Sequence, residues 1–360
     1  MKIENIERRF DGPRAPGGVN VVDVLAVQPG SMGWDHVIII SGHIDSRVSD
    51  VMNATSDAPG ANDDASGTAL VLEAARVMSA RKYGATIVYA ILSGEEQGLW
   101  GGKLLADTAK TRGWHVSAML NNDIIGNTIG TDGRVVDDQV RVFSEGIRFA
   151  EDLPAQMARR GSGGEDDGPS RAVMRYAAHI ANTQPAGLKV FGVRRPDRFG
   201  RGGDHLPALE LGFPAIRFTV GVENYNYQHQ DLRSKDGIQY GDTVDKMDFA
   251  YLRKVTNLNI LTAGSLASGP PAPQIATLGG AVSSDTMVSW KAVQGATGYR
   301  VYWRRADTQD WADSIEVKDP KATSTILKGK IVDDYFFGVS AVAPGKAESI
   351  ITFAGLPTKE

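Results

Sequence analysis

The sequence predicts an α/β unit with a mixed, largely parallel central sheet flanked by helices, followed by an all-β sandwich. Short apolar runs at Val37–Ile40, Thr86–Leu92, Val116–Leu120, Lys189–Val193 and Ala215–Val220 read as buried strands, and segments of helical periodicity lie between several of them. Leu266–Pro273 is a stiff, Pro-rich linker. Beyond it helical periodicity stops and short alternating segments begin. The expected division is 1–268, a linker at 269–274, and 275–360.

Bulk properties exclude several function classes. The formal charge is −4 with acids and bases mixed along the chain, so there is no electrostatic footprint for nucleic acid or an anionic membrane. No apolar stretch is long enough to span a bilayer. The chain has no cysteine, which removes thiolate nucleophiles, disulfides and Cys-type zinc sites. Histidine and carboxylate are the strong metal ligands that remain.

Taken in order, Met1–Phe10 lacks the charged, apolar and small-residue order of a signal peptide. Val21–Val27 alternates as a strand, and Gln28–Ser31 turns it toward Val37–Ile40, predicting a hairpin-like opening. The stretch from Asp45 to Asp63, rich in Ser, Asp, Asn, Gly and Pro, reads as a long loop. Ala65 opens a helix with Val71, Ala74 and Met78 on one face, ending before Lys82. Gly161–Gly168 reads as a flexible insertion with solvated acids. A helix over Ser170–Ala181 follows, on which His179 reads as a surface or packing residue.

Chemistry gathers at the ends of the apolar runs. Gly42-His43-Ile44-Asp45 follows the first, Ser93-Gly94-Glu95-Glu96-Gln97-Gly98 the second, and Asn121-Asn122-Asp123 the third. Pro59-Gly60-Ala61-Asn62-Asp63-Asp64-Ala65-Ser66-Gly67 lies at a helix start. In an open α/β sheet the carboxyl edge of the strands is where ligands bind. Each motif also has a plain structural reading: Asp63 and Asp64 as helix caps, Glu95-Glu96 as a solvated turn. His43 and Asp45 have the spacing in which a carboxylate orients a ligating imidazole.

Together with Gly203-Asp204-His205 and the late His229, these motifs make residues 1 to about 268 resemble the co-catalytic zinc aminopeptidases. That group includes bacterial secreted leucyl aminopeptidases and shares its fold with glutamate carboxypeptidase and glutaminyl cyclase. The resemblance implies a zinc-peptidase fold and two Zn2+ ions per chain. His43 and Asp123 would hold one ion, Glu96 and His229 the other, with Asp63 bridging them. Asp45 would orient His43, Glu95 would be the general base, and Asp64 would stand outside the ligand set. Asp204 would lie near the substrate, and Tyr225 or Tyr227 would assist the developing oxyanion. Gln228 stands where many relatives have Tyr, and His205 competes with His229 as a ligand.

The expected activity is hydrolysis of amino-terminal peptide bonds of peptides or proteins, without a covalent intermediate. Manganese or cobalt would suit the same donors. A carboxypeptidase or glutaminyl cyclase of the same fold would share most ligands, and a catalytically silent surface-binding module is the third reading. The final segment, with strands around Val288–Trp290, Tyr299–Trp303, Thr323–Leu327 and Tyr335–Val342, resembles a fibronectin type III domain with Trp290 and Tyr335 as core landmarks. Such modules accompany secreted bacterial enzymes, which implies a secreted or periplasmic location.

Overall fold

Eight strands form the central sheet in the computed structural model, which describes residues 1–183 and 185–356. They are β1 (Lys2–Gly12), β2 (Ala15–Gln28), β3 (His36–His43), β4 (Thr86–Leu92), β5 (His115–Asn122), β6 (Gln139–Phe143), β7 (Lys189–Val193) and β8 (Ala215–Val220). Their order is β1-β2-β4-β3-β5-β8-β6-β7. Pairing is parallel through β4, β3, β5 and β8 and between β6 and β7, and antiparallel elsewhere. Strands covered on both faces carry apolar residues in succession: Ile38, Ile39 and Ile40 are all buried.

The opening hairpin differs from expectation. It joins β1 to β2, and β2 then pairs with β4 rather than β3. The reason lies in side-chain pattern. Every residue of β3 is buried, so β3 must sit inside the sheet between β4 and β5. β2 alternates buried and exposed residues and suits a position near the edge.

Among the described residues, seven α-helices accompany the sheet: α1 (Ala65–Met78), α2 (Glu95–Gly98), α3 (Trp100–Thr111), α4 (Leu153–Gly161), α5 (Pro169–Thr183), α6 (Leu206–Glu210) and α7 (Phe249–Ser268). Strand alternation divides the core into two layers. Ile38, Ile40 and Leu120 pack with Leu70, Val71, Ala74 and Met78 of α1 and with α5 and α7. Ile39, Val88 and Met119 face the other way, onto Leu104 and Leu105 of α3 and Leu209 of α6.

The remaining strands lie outside the main sheet. Two, β9 (Arg233–Lys235) and β10 (Ile238–Tyr240), precede α7 as a small hairpin. The others are β11 (Ala276–Gly279), β12 (Thr286–Trp290), β13 (Gly298–Arg305), β14 (Asp313–Val317), β15 (Ser324–Leu327), β16 (Tyr335–Val342) and β17 (Thr352–Phe353). They make two antiparallel sheets, β11-β12-β15 and β14-β13-β16-β17. The sheets share one core in which Val288, Trp290 and Leu327 meet Tyr299, Val301, Phe337 and Val339. Residues 357–360 of the expected sandwich lie outside the described residues.

The expected flexible insertion is another correction. It links α4 to α5, and two of its three acids are paired, while Glu165 is exposed as expected. Asp167 is buried against Arg304 and Arg175, and Asp166 pairs with Arg171 and Arg194. Arg171 and Arg175 come from the adjacent α5, whereas Arg194, in the loop after β7, and Arg304, in the C-terminal sheet, are distant in sequence. His179 is exposed on α5, as expected.

Candidate metal centre

Parallel pairing gathers the site. β4, β3, β5 and β8 run in one direction, with His43 opposite Leu92 and Ser41 opposite Asn121. Their carboxyl ends therefore share one edge. His43 closes β3, Glu95 and Glu96 open α2 just beyond β4, and Asp123 follows β5. Loops before α1 and after β8 bring Asp63 and His229 to the same place.

The donor atoms fall into two groups. His43, Glu95 and Asp123 form one and Asp63, Glu96 and His229 the other, with donor atoms in each group lying within 4.8 Å of one another. Asp63 faces both histidines: Oδ1 is 3.3 Å from His43 Nε2 and Oδ2 is 3.0 Å from His229 Nε2. Glu96 Oε1 is 2.9 Å from His229 Nε2, and Asp123 Oδ2 is 3.9 Å from His43 Nε2. Even so, the buried His43 Nε2 and Glu96 Oε1 make no hydrogen bond of acceptable geometry. Atoms this close that do not point at one another point at a common place between them, as ligands to a shared ion do. Imidazole and carboxylate donors of this kind suit zinc. The residues fit a metal.

Electrostatics follow from crowding charges out of water. Burial works against the Asp63 carboxylate, but His229 and His43 outweigh it and hold its pKa well below the usual range. Burial pushes the Glu95 carboxyl well up; His43 opposes this, and Asp123, Asp204 and Glu96 reinforce it. For His229, burial lowers the pKa, yet Asp63 and Glu96 raise it to about 9. That would protonate both ring nitrogens, whereas Arg47 Nη2 lies 2.6 Å from Nδ1, a contact that needs a lone pair there. The contact decides for a neutral ring with its proton on Nε2. His229 would hold a cation only as the tautomer with its proton on Nδ1, so the Arg47 contact and a cation would compete for this histidine.

The expected roles and the geometry part company at four places. Asp45 reaches His43 chiefly through its carbonyl oxygen, 3.0 Å from Nδ1, while its carboxylate is 3.6 Å from that atom. The carboxylate accepts the backbone N–H groups of Glu95 and Glu96 at 3.2 and 3.0 Å. Asp204 is fully buried and accepts from Gly102 N, so it cannot touch a substrate. Tyr225 is exposed and Tyr227 sits under Lys246, and neither lines the cleft that holds Asp63, Glu95, Glu96, Asp123 and His229. Two other readings agree with the structure. Asp64 caps α1 through Gly67 N and also accepts from His43 N and Ile124 N. His205 Nε2 is held by the Pro196 carbonyl, away from both donor groups.

Three supporting residues escaped sequence reasoning. Arg47 donates to Glu96 Oε2 at 2.9 Å. The fully buried Arg217 lies 2.7 Å from Asp123 Oδ1 and 3.0 Å from Asp197 Oδ2. Asp242 accepts the backbone N–H groups of Asn62 and Asp63, fixing the loop that carries Asp63. Arg217 did have a signal: it is the one charge in the otherwise uncharged strand Ala215–Val220. The other two lie in polar loops where nothing distinguishes them.

Fold and donor cluster define an α/β protein with a carboxylate- and histidine-lined cleft at its parallel strand ends. The chain belongs to peptidase family M28, whose family profile matches residues 20–255. It is similar to a probable zinc metalloprotease of Leptosphaeria maculans, 40% identical over 349 residues, covering 95% of this chain and 80% of the relative. A probable zinc metalloprotease of Pyricularia oryzae is also 40% identical over 349 residues, covering 94% and 68%. Both relatives are fungal, whereas the resemblance to secreted bacterial enzymes pointed to bacteria. Among solved structures, the LapA aminopeptidase of Legionella pneumophila matches with a TM-score of 0.50 and 19% identity over 74% of this chain and 58% of that one. At that identity the likeness is one of fold.

Proposed function

We propose that the chain is a zinc-dependent exopeptidase that hydrolyses amino-terminal peptide bonds. The observation that carries the reading is Asp63, one carboxylate with an oxygen toward each of two histidines at the centre of two donor groups. The names of the fungal relatives support zinc. In this reading His43 and Asp123 would hold one ion and Glu96 and His229 a second, with Asp63 a donor available to either. Zinc, when bound, supplies Lewis acidity that polarises a carbonyl and makes water a better nucleophile.

The chain's own groups do the rest. Glu95 lines the open cleft and takes a proton from the attacking water, then delivers it to the departing amine. Asp45 holds the backbone of Glu95 and Glu96, and Arg47 holds Glu96 Oε2. We also read 1–268 as the peptidase domain, 269–274 as a linker and 275–360 as a fibronectin type III-like domain. Its two sheets around one core support the last assignment. Secretion is proposed on that module's account alone.

The test is hydrolysis of aminoacyl-nitroanilides by the protein as purified, after chelation, after zinc return, and with Glu95→Gln. Activity should vanish with the metal and return with zinc. Glu95→Gln should lower kcat by about 10²- to 10⁴-fold with two zinc ions still bound. Loss of an ion in that variant would make Glu95 a ligand instead, as its place beside His43 and Asp123 allows. A zinc-loaded protein that cleaves no peptide would sink the peptidase reading.

A further inference from the structure

The walls of the cleft carry information that the donor groups do not. Besides the proposed ligands and Glu95, it is lined by Arg14, Arg47, Arg198 and Arg201, by three glycines, and by Leu99 as the one large apolar side chain among the described residues. The cleft holds about 460 Å³. A pocket for an apolar amino-terminal side chain is expected to be walled by aliphatic and aromatic groups. This one is walled by guanidinium.

Once the proposed metal ligands and Glu95 are set aside, those guanidiniums have few carboxylate partners of their own. Glu223 is one carboxylate facing three arginines: Arg141 at 2.5 Å, Arg201 at 2.7 Å and Arg198 at 3.7 Å. Arg198 Nη1 is buried and lacks a hydrogen-bond partner among the described residues. Its other anchor, Asp197, is shared with Arg217. Arg14, at the turn between β1 and β2, donates to the Glu96 carbonyl, an uncharged acceptor, at 2.6 Å. An unpartnered guanidinium nitrogen in a cleft leaves a strong, directional demand for an anion. Carboxylate is the anion that peptides carry, and arginine takes it in a planar, two-pronged contact.

We propose that this cleft selects peptides bearing a carboxylate beside the scissile bond, received by Arg14, Arg198 and Arg201. The inference rests on the peptidase reading and names its substrate class. The carboxylate has two sources with the same chemistry: the free α-carboxylate of a short peptide, or an acidic side chain. Arg47 is left out because Glu96 and His229 already engage it. The sequence carried a trace of this wall in Arg194-Arg195-Pro196-Asp197-Arg198-Phe199-Gly200-Arg201, a basic run just before α6.

The experiment compares kcat/KM of the zinc-loaded full chain on three matched pairs: Ala-Ala and its amide, Glu- and Gln-nitroanilide, and amidated Ala-Asp and Ala-Asn. At least one charged member should be preferred by about 10- to 100-fold, and the preferred pair identifies the source of the carboxylate. Arg198→Met should collapse that ratio toward unity with zinc stoichiometry unchanged. Arg14→Met, at an exposed position, should narrow it even if Arg198→Met fails to fold, and Arg14→Lys should restore part of it. Equal rates within all three pairs overturn the proposal and leave the peptidase reading standing. If no peptide is cleaved, the peptidase reading fails by itself, and calorimetric titration of the zinc-loaded protein with glutamate and glutamine decides the anion site. Tighter binding of glutamate that is lost in Arg14→Met supports it, and equal or absent binding overturns it.

Discussion

Asp45 shows how one side chain does a different job from the one its spacing suggests. Its carbonyl orients the His43 ring, and its carboxylate anchors the backbone of the two residues that matter most beyond β4. Replacing Asp45 with Ala keeps the carbonyl and removes the anchor. The expected result is a fall in kcat of about 10- to 100-fold, the usual cost of losing a group that supports metal ligands or their neighbours, with KM changed far less. Steady-state kinetics beside zinc analysis checks this. A loss of zinc with kcat per bound metal preserved would mean that Asp45 serves the ligand after all. Asp63 and Asp64 make the complementary point, since adjacent identical residues divide the two available roles. One faces the histidines and the other caps α1.

Elements are brought together here by absent side chains. A Cβ on Gly67, in the first turn of α1, would lie 2.2 Å from the Asn122 carbonyl oxygen and 2.4 Å from Asp64 Oδ2. One on Gly42 would lie 2.6 Å from the Gly67 carbonyl carbon. The end of β3, the start of α1 and the end of β5 thus touch backbone to backbone, and this contact sets how near Asp63 comes to His43 and Asp123. Backbone cannot step aside as a flexible side chain does. Gly67→Ala should therefore cost about 1–3 kcal/mol of stability, measured by urea unfolding, and should weaken zinc binding because the two halves of the site separate. Unchanged stability and zinc affinity would show that α1 can move away freely.

Across the whole molecule, the C-terminal sheets are tied to the helical layer by a buried charge cluster. Arg304 of β13 donates to both oxygens of Asp167 at 3.1 and 2.8 Å, and Arg175 of α5 donates to the same carboxylate at 2.6 Å. The Arg304 guanidinium lies over Trp311 and Phe336, 4.5 and 4.9 Å from the ring centroids. Removing the carboxylate leaves two cations together out of water. Asp167→Ala should cost about 3–5 kcal/mol, and Asp167→Ala with Arg304→Met should cost less than Asp167→Ala alone, because the stranded charge is gone. Denaturant midpoints of both variants test this, and a double variant less stable than the single would refute it. A cavity of about 860 Å³ lies at the same junction, between α5, α7 and these sheets, well away from the donor groups.

Local patterns were enough to locate the strands, since β5, β7 and β8 lie where their runs indicated, but β7 is an edge strand with Phe191 exposed rather than the buried strand its run suggested. They also marked the polar turns at the strand ends, while the choice of His43, Asp63, Glu96, Asp123 and His229 as ligands and Glu95 as base came from the family resemblance that those motifs carry together. Only the folded chain decided that β3 lies between β4 and β5, that Asp204 is buried, and that Asp45 anchors α2. It alone also brought Arg14, Arg47, Arg198 and Arg201, from three separate loops, to one wall. Burial and charge pairing between residues far apart in sequence depend on which surfaces meet, and periodicity within a segment holds no record of that.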